Sequence, residues 1–200
     1  MLMEKKYMKG NSLGGFFATC LVAIFTLSAC AQDHKKNENR LKNINEISRN
    51  SVLLNNQNSF IPVTKLAEKK IASVNLGFEH QIAFDSLLNK YADVKSLSAE
   101  KYKDSTTLND LADDLKFYNT VIISITDQMA KDGRYLNFIT DIAQHKNVVI
   151  ALFGDGKSLS SFDNISAPIV WSPQNSQEAA MVTPHLIFGG IAAEHTLTKG

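Results

Sequence analysis

The chain has 200 residues, 44% of them hydrophobic and 20% charged, with 10 Gly and 4 Pro. These proportions exclude collagen-like, low-complexity and wholly disordered classes. The +1 net charge offers neither a basic surplus for nucleic acid nor an acidic tail for a basic partner.

The N-terminus reads as an address. Lys5, Lys6 and Lys9 precede an apolar stretch from Leu13 to Leu27. Positive residues followed by roughly 7–15 apolar ones make a secretory signal. The stretch is short for a transmembrane helix, which needs about 20 residues. It ends in Leu27-Ser28-Ala29-Cys30, which resembles the lipobox of bacterial lipoproteins. The resemblance implies cleavage before Cys30 and acylation of its sulfur, with the protein lipid-anchored to a membrane of the bacterial cell envelope. The competing readings are an ordinary signal peptide cut after Ala29 and a buried Cys. Two or three acyl chains anchor stably where one does not. The expected layout is a signal peptide over 1–29 and a polar tether over 30–46. A folded domain over 47–192 and a tail over 193–200 follow. His34, Lys35 and Lys36 are candidates for lipid headgroup contact, or simply for solubility.

From residue 69 the pattern alternates strand and helix. Ile71–Leu76 reads as a strand closed by Gly77. Phe84, Leu87, Leu88 and Tyr91 fall on one helical face. Val94–Leu97 is a brief strand. Leu108, Leu111, Ala112 and Leu115 repeat the helical spacing, with Thr107 as the cap. Val121–Ile125 is a nearly all-apolar strand. Leu136, Ile139, Ile142 and Ala143 mark a further helix. Val148–Phe153 is the strongest strand, Leu159 and Phe162 suit a short helix, and Pro168–Trp171 is the fifth strand. Ser176–Phe188 is the last helix, ended by Gly189 and Gly190. Pro184 falls inside it, at an expected cost of about 3 kcal/mol. Strands apolar on both faces are covered on both faces, as in parallel sheets. The expected fold is therefore α/β, a three-layer sandwich with a mainly parallel sheet of about five strands and helices on both faces.

Read together, several segments resemble one family. Ser51–Asn55, Phe60–Val63 and Lys69–Gly77 are similar to the start of the C-terminal α/β sandwich domain of glycoside hydrolase family 3. Val148–Leu159, Ser176–Ala180 and Ile187–Gly190 are similar to later motifs of that domain, in its β-N-acetylglucosaminidase branch. The resemblance covers about 47–192 and implies a carbohydrate context. It also implies that catalysis belongs to an N-terminal barrel, which has no room before residue 47. Phe84-Asp85-Ser86-Leu87 imitates the barrel's nucleophile motif, but inside an amphipathic helix. The resemblance points to a non-catalytic domain that packs on a glycosidase barrel or β-lactamase-like partner, or binds glycan weakly. The alternative is a truncated or split fragment of a β-N-acetylglucosaminidase.

In open α/β sheets, ligands sit beyond the carboxyl ends of the strands. Those ends place Asp127, Asp155, Trp171, Gln174 and Asn175 on one candidate ligand or interface rim. Asp127 and Asp155 end neighbouring strands, so they form a candidate carboxylate pair for acid–base work; solvated turn residues are the competing reading. Trp171 offers a ring for stacking on a sugar, or a core side chain. Gly154-Asp155-Gly156-Lys157 lacks the full spacing of a phosphate loop. Ser158 or Ser176 with His145 or His185 lacks the nucleophile elbow of a hydrolase. Two Cys and five His are too few and too scattered for a metal site; no metal or cofactor is expected.

The anchor is directly testable. Labelled fatty acid should enter the expressed protein, and Cys30→Ala should abolish the labelling. An unlabelled wild type would refute the lipoprotein assignment.

Overall fold

The computed structural model describes residues 35–98 and 105–197. The signal peptide, Cys30, His34 and the last three residues of the tail lie outside the described residues. The chain divides into two units, Met1–Lys42 and Asn43–Gly200. Residues 35–50 are helical (α1), so helix occupies much of the segment expected as tether.

The fold is built on two apolar runs. Thr120–Thr126 (β4) is buried at every position, and Asn147–Phe153 (β5) at all but its first. They lie side by side and parallel, with Ile123 opposite Ile150. Ile71–Leu76 (β2) extends the sheet beyond β4, and Val94–Ser98 (β3) beyond β2. Ile169–Ser172 (β6) lies on the other side of β5, and these five strands are parallel. The expected count of about five is corrected to seven, in the order β3-β2-β4-β5-β6-β1-β7. Val52–Leu54 (β1) pairs antiparallel with β6, and His195–Leu197 (β7) pairs parallel with β1. Both additions are three residues long, too short to show a period. β7 is also exposed along its whole length, so it has no apolar pattern to read.

Side chains on successive strand residues alternate between faces, and each face has its own helical cover. Val121, Ile123, Ile125, Val148, Ile150 and Leu152 point to one face. There they meet Ser105–Asp114 (α3) and Gly133–His145 (α4). Ile122, Val149, Ala151 and Phe153 point to the other. There they meet Gln81–Leu88 (α2), Gln177–Phe188 (α5) and Ile47 of α1. Each fully buried aliphatic side chain contributes about 1.5–3 kcal/mol, so the two layers carry most of the stability.

The helix ends follow local chemistry. Asp132 caps α4 by accepting from the Arg134 backbone N–H at 3.0 Å. Ser176 caps α5 by accepting from Ala179 N at 3.2 Å. Gly189 ends α5 at φ 77°, where a glycine avoids the left-handed penalty. The expectation that Thr107 caps α3 is corrected, because the helix starts two residues earlier. α5 runs through its buried Pro184 without a break. The neighbouring Thr183 hydroxyl donates to the Ala179 carbonyl at 2.9 Å. Tyr91 falls past the end of α2. Its ring stacks on Phe188 with centroids 4.8 Å apart, and its hydroxyl meets His185 Nδ1 at 2.5 Å.

Val149 is fully buried in the central strand. Val149→Asp places an unpaired charge there, which costs several kcal/mol. The variant should lose the cooperative thermal transition seen by circular dichroism. A native-like melting temperature would refute the central placement of β5.

Candidate functional site

The order of the parallel strands reverses at β2, which has β3 on one side and β4 on the other. A crevice is expected beyond the carboxyl ends at such a switch point. Here it is filled. A Cβ added to Gly77 would come within 2.5 Å of Met129 Cγ, so the side chain of Met129 lies directly against the backbone that ends β2. The turn after β2 also satisfies itself. Asn75 Nδ2 donates to the Phe78 carbonyl and to Gln81 Oε1, both at 2.9 Å, and Phe78 N donates to Asn75 Oδ1 at 2.7 Å.

Asp127 ends β4 and binds the loop that ends β5. Its Oδ2 accepts from the Gly156 backbone N–H at 2.8 Å. Its Oδ1 accepts from the Ser158 N–H at 3.0 Å and from the Ser158 hydroxyl at 2.5 Å. The loop has room for the carboxylate only because residue 154 is glycine: a Cβ there would collide with Asp127 Oδ2. Gly156 has φ 80°, and a Cβ on it would lie 2.9 Å from Trp171 Cζ2. Trp171 holds the loop from the other side, its Nε1 donating to the Gly154 carbonyl at 2.9 Å. The ring is half-buried against the core.

Asp155 sits on the same loop but turns outward. It pairs with Lys157, and both side chains are largely exposed. The hydrogen bond from Lys157 holds the Asp155 carboxyl below its ordinary value of 3.8. The two carboxylates have different principal partners, although Asp127 also lies near enough to Asp155 to help lower its pKa. Gln174 Nε2 donates to Asn43 Oδ1 at 3.4 Å, and Asn175 is exposed. The structure gathers Asp127, Asp155 and Trp171 about one loop and leaves Gln174 and Asn175 on the following connection. The Ser172 hydroxyl is buried without a partner at the end of β6.

The other constellations do not assemble. Ser158 engages Asp127, Ser176 caps α5, and His185 meets Tyr91. Asp85 is buried and accepts from the Ser73 hydroxyl at 2.6 Å, so it ties α2 to β2. Among the described residues, no group of three His, Cys, Asp or Glu is placed to hold a metal, and no helix is long and apolar enough to cross a membrane. Among the described residues, clefts open away from this rim. One of about 290 Å³ opens between Leu54, Leu159, Phe162, Ile169 and Leu197. Two more open at the amino ends of the central strands, one of about 200 Å³ and a shallower one of about 530 Å³.

Known structures share this fold. A fungal multi-domain family 3 β-N-acetylglucosaminidase with a GCN5-related glucosamine N-acetyltransferase region is similar at TM-score 0.58 and 15% identity. The match covers 74% of this chain and 17% of that one. A family 3 β-N-acetylglucosaminidase from Paenibacillus sp. str. FPU-7 is similar at TM-score 0.52 and 11% identity, over 65% of this chain and 27% of that one. A β-glucosidase from Erythrobacter marinus is similar at TM-score 0.58 and 11% identity, over 77% of this chain and 29% of that one. The chain therefore spans less than a third of each neighbour. No protein-family model and no curated protein matches it.

The loop contacts predict unequal roles for the two aspartates. Asp127→Asn sets an amide N–H against a backbone N–H and should cost about 1–3 kcal/mol in urea unfolding. Asp155→Asn, at an exposed pair, should leave the unfolding midpoint at neutral pH close to that of the wild type. Because the folded-state pKa of Asp155 is depressed, its contribution is present above the ordinary value of 3.8 and lost as pH falls through the folded one. Equal destabilisation at neutral pH would refute the assignment.

Proposed function

We propose that this chain is a lipid-anchored, non-catalytic α/β domain of the bacterial cell envelope, related to family 3 β-N-acetylglucosaminidases. It acts by packing on a partner hydrolase or by holding glycan weakly. The supporting observation is the state of Asp127. Glycoside hydrolysis needs two groups about 5–9.5 Å apart around one bond, free to exchange protons or attack carbon. Asp127 has both oxygens committed to the 156–158 backbone and to Ser158, and Asp155 turns to Lys157. Asp85, the imitation of the family's nucleophile, is buried against Ser73. The small share of each neighbour that the chain spans favours a second reading, a piece of a divided glycosidase whose barrel is encoded elsewhere.

An aryl β-N-acetylglucosaminide offered to the purified protein should be cleaved no faster than in buffer. Turnover by the wild type that Asp155→Asn abolishes would overturn the non-catalytic reading. The flanking DNA separates the two readings: an adjacent frame coding for a barrel supports the divided enzyme.

A further inference from the structure

We infer that the loop from Gly154 to Ser158 is a binding site for a carboxylate, which the chain closes with a carboxylate of its own, that of Asp127. The donors converge on one point. The Gly156 N–H meets Asp127 Oδ2 at 2.8 Å, and the Ser158 N–H and hydroxyl meet Oδ1 at 3.0 and 2.5 Å. Each oxygen of the carboxylate thus has its own donor. Backbone N–H groups gathered by a turn with positive φ make anion-binding concavities. Here Gly154 and Gly156 have φ 137° and 80°.

The loop is also held by bonds that do not involve Asp127. Gly154 N donates to the Ser172 carbonyl at 3.1 Å, and the Gly154 carbonyl accepts from Trp171 Nε1 at 2.9 Å. Leu159 N donates to the Gly156 carbonyl at 3.2 Å, and Ser161 N to the Ser158 carbonyl at 2.9 Å. Both flanks keep their places without the side chain at 127, so the donors stay aimed. Gly154 supplies the clearance, since a Cβ there would stand 2.3 Å from Asp127 Oδ2. Asp127 is half-buried, so the position it fills borders solvent and an outside anion has a path to it. The hydrogen bond from Lys157 to Asp155 raises the lysine's pKa, and the charge of Asp127 adds to the rise. The field of that ammonium therefore reaches the position, while Asp155, the opposing charge, is covered by Lys157. A neutral amide fits less well, because its N–H would face a backbone N–H. The tether gives Asp127 a high effective concentration, which keeps the wild-type site closed to a free acid. Deleting its carboxylate leaves these donors unpaired, and a free carboxylate satisfies them.

The test is rescue by formate, the free anion nearest in size to the deleted group. Thermal unfolding of the full chain is followed at neutral pH for the wild type, Asp127→Ala and Asp127→Asn. Each is measured in sodium formate and in sodium chloride of equal ionic strength. Asp127→Ala should melt below the wild type in chloride and recover saturably in formate. At about ten times the half-saturating concentration its folding constant should rise about eleven-fold. The wild type and Asp127→Asn, whose side chains fill the site, should not distinguish formate from chloride. Ser158→Ala added to Asp127→Ala should raise the half-saturating concentration about five-fold, the loss of one hydrogen bond. Formamide, similar in shape but uncharged, should rescue nothing. If Asp127→Ala does not fold in chloride, Asp127→Gly, which vacates more room, carries the same titration, and a regained unfolding transition is the readout. Rescue by N-acetylglycine as well would assign a peptide terminus as a source of the carboxylate, and rescue by formate alone a small acid; both support the inference. No formate-specific gain in either variant overturns it. So does an equal gain in the wild type, a gain that formamide matches, or one that Ser158→Ala leaves unchanged. Any of these results leaves the non-catalytic reading standing, because Asp127 is engaged in the wild type in every case.

Discussion

Three hydrogen bonds accepted by one carboxylate govern the end of the sheet where a ligand is expected. Asp127 stands at the close of β4, and the loop after β5 turns back over it, so that Gly156 and Ser158 give it their backbone N–H groups. Two successive requirements follow from that geometry. Residue 154 must lack a side chain to admit the carboxylate, and residue 156 must lack one to admit Trp171. Trp171 then closes the far side through its indole N–H. Charge-assisted bonds of this kind are roughly twice as strong as neutral ones. The loop is an anion cradle whose anion is part of the chain. A phosphate or a substrate carboxylate would have to displace Asp127 to use the same donors.

The layers are joined by similar internal satisfaction of polar groups. The carboxylate of Asp85 is buried under α2, where an uncompensated charge would be costly, and the Ser73 hydroxyl meets it. Asn119 ties the amino ends of β2 and β4 together, accepting from Lys70 N and donating to the Glu68 carbonyl. Pro184 leaves a carbonyl of α5 without its helical donor, yet the residue is buried in a helix that continues for another turn. The packing of Val182, Leu186 and Ile187 against the sheet outweighs that local loss. A propensity argument applied to the proline alone overstates its effect.

What was legible in the sequence was the buried part. β4 and β5 announce themselves because a strand covered on both faces must be apolar at nearly every position, and 121–125 and 148–153 are; the edge strand β3 shows only Val94 and Leu97. The position of α5 follows from Ser176 and Gly189, whose caps are local chemistry. β1 and β7 were hidden because three residues carry no period, and because β7 is stabilised by its ladder with β1 rather than by burial. The candidate site was legible in place but not in role. Strand ends correctly put Asp127, Asp155 and Trp171 near one another. Nothing in the sequence says that Asp127 is bound by N–H groups 29 and 31 positions later.

The fold's usual ligand position is a statement about backbone geometry: strands that diverge at a switch point leave a crevice. It becomes a site only if side chains leave that crevice open. Here Met129 occupies the space against Gly77, Asp127 occupies the loop donors, and Asn75 closes the turn after β2. The carboxyl ends of the parallel strands therefore serve to fasten the domain: their polar groups satisfy one another, and the backbone donors that the topology would offer a ligand are already taken by Asp127.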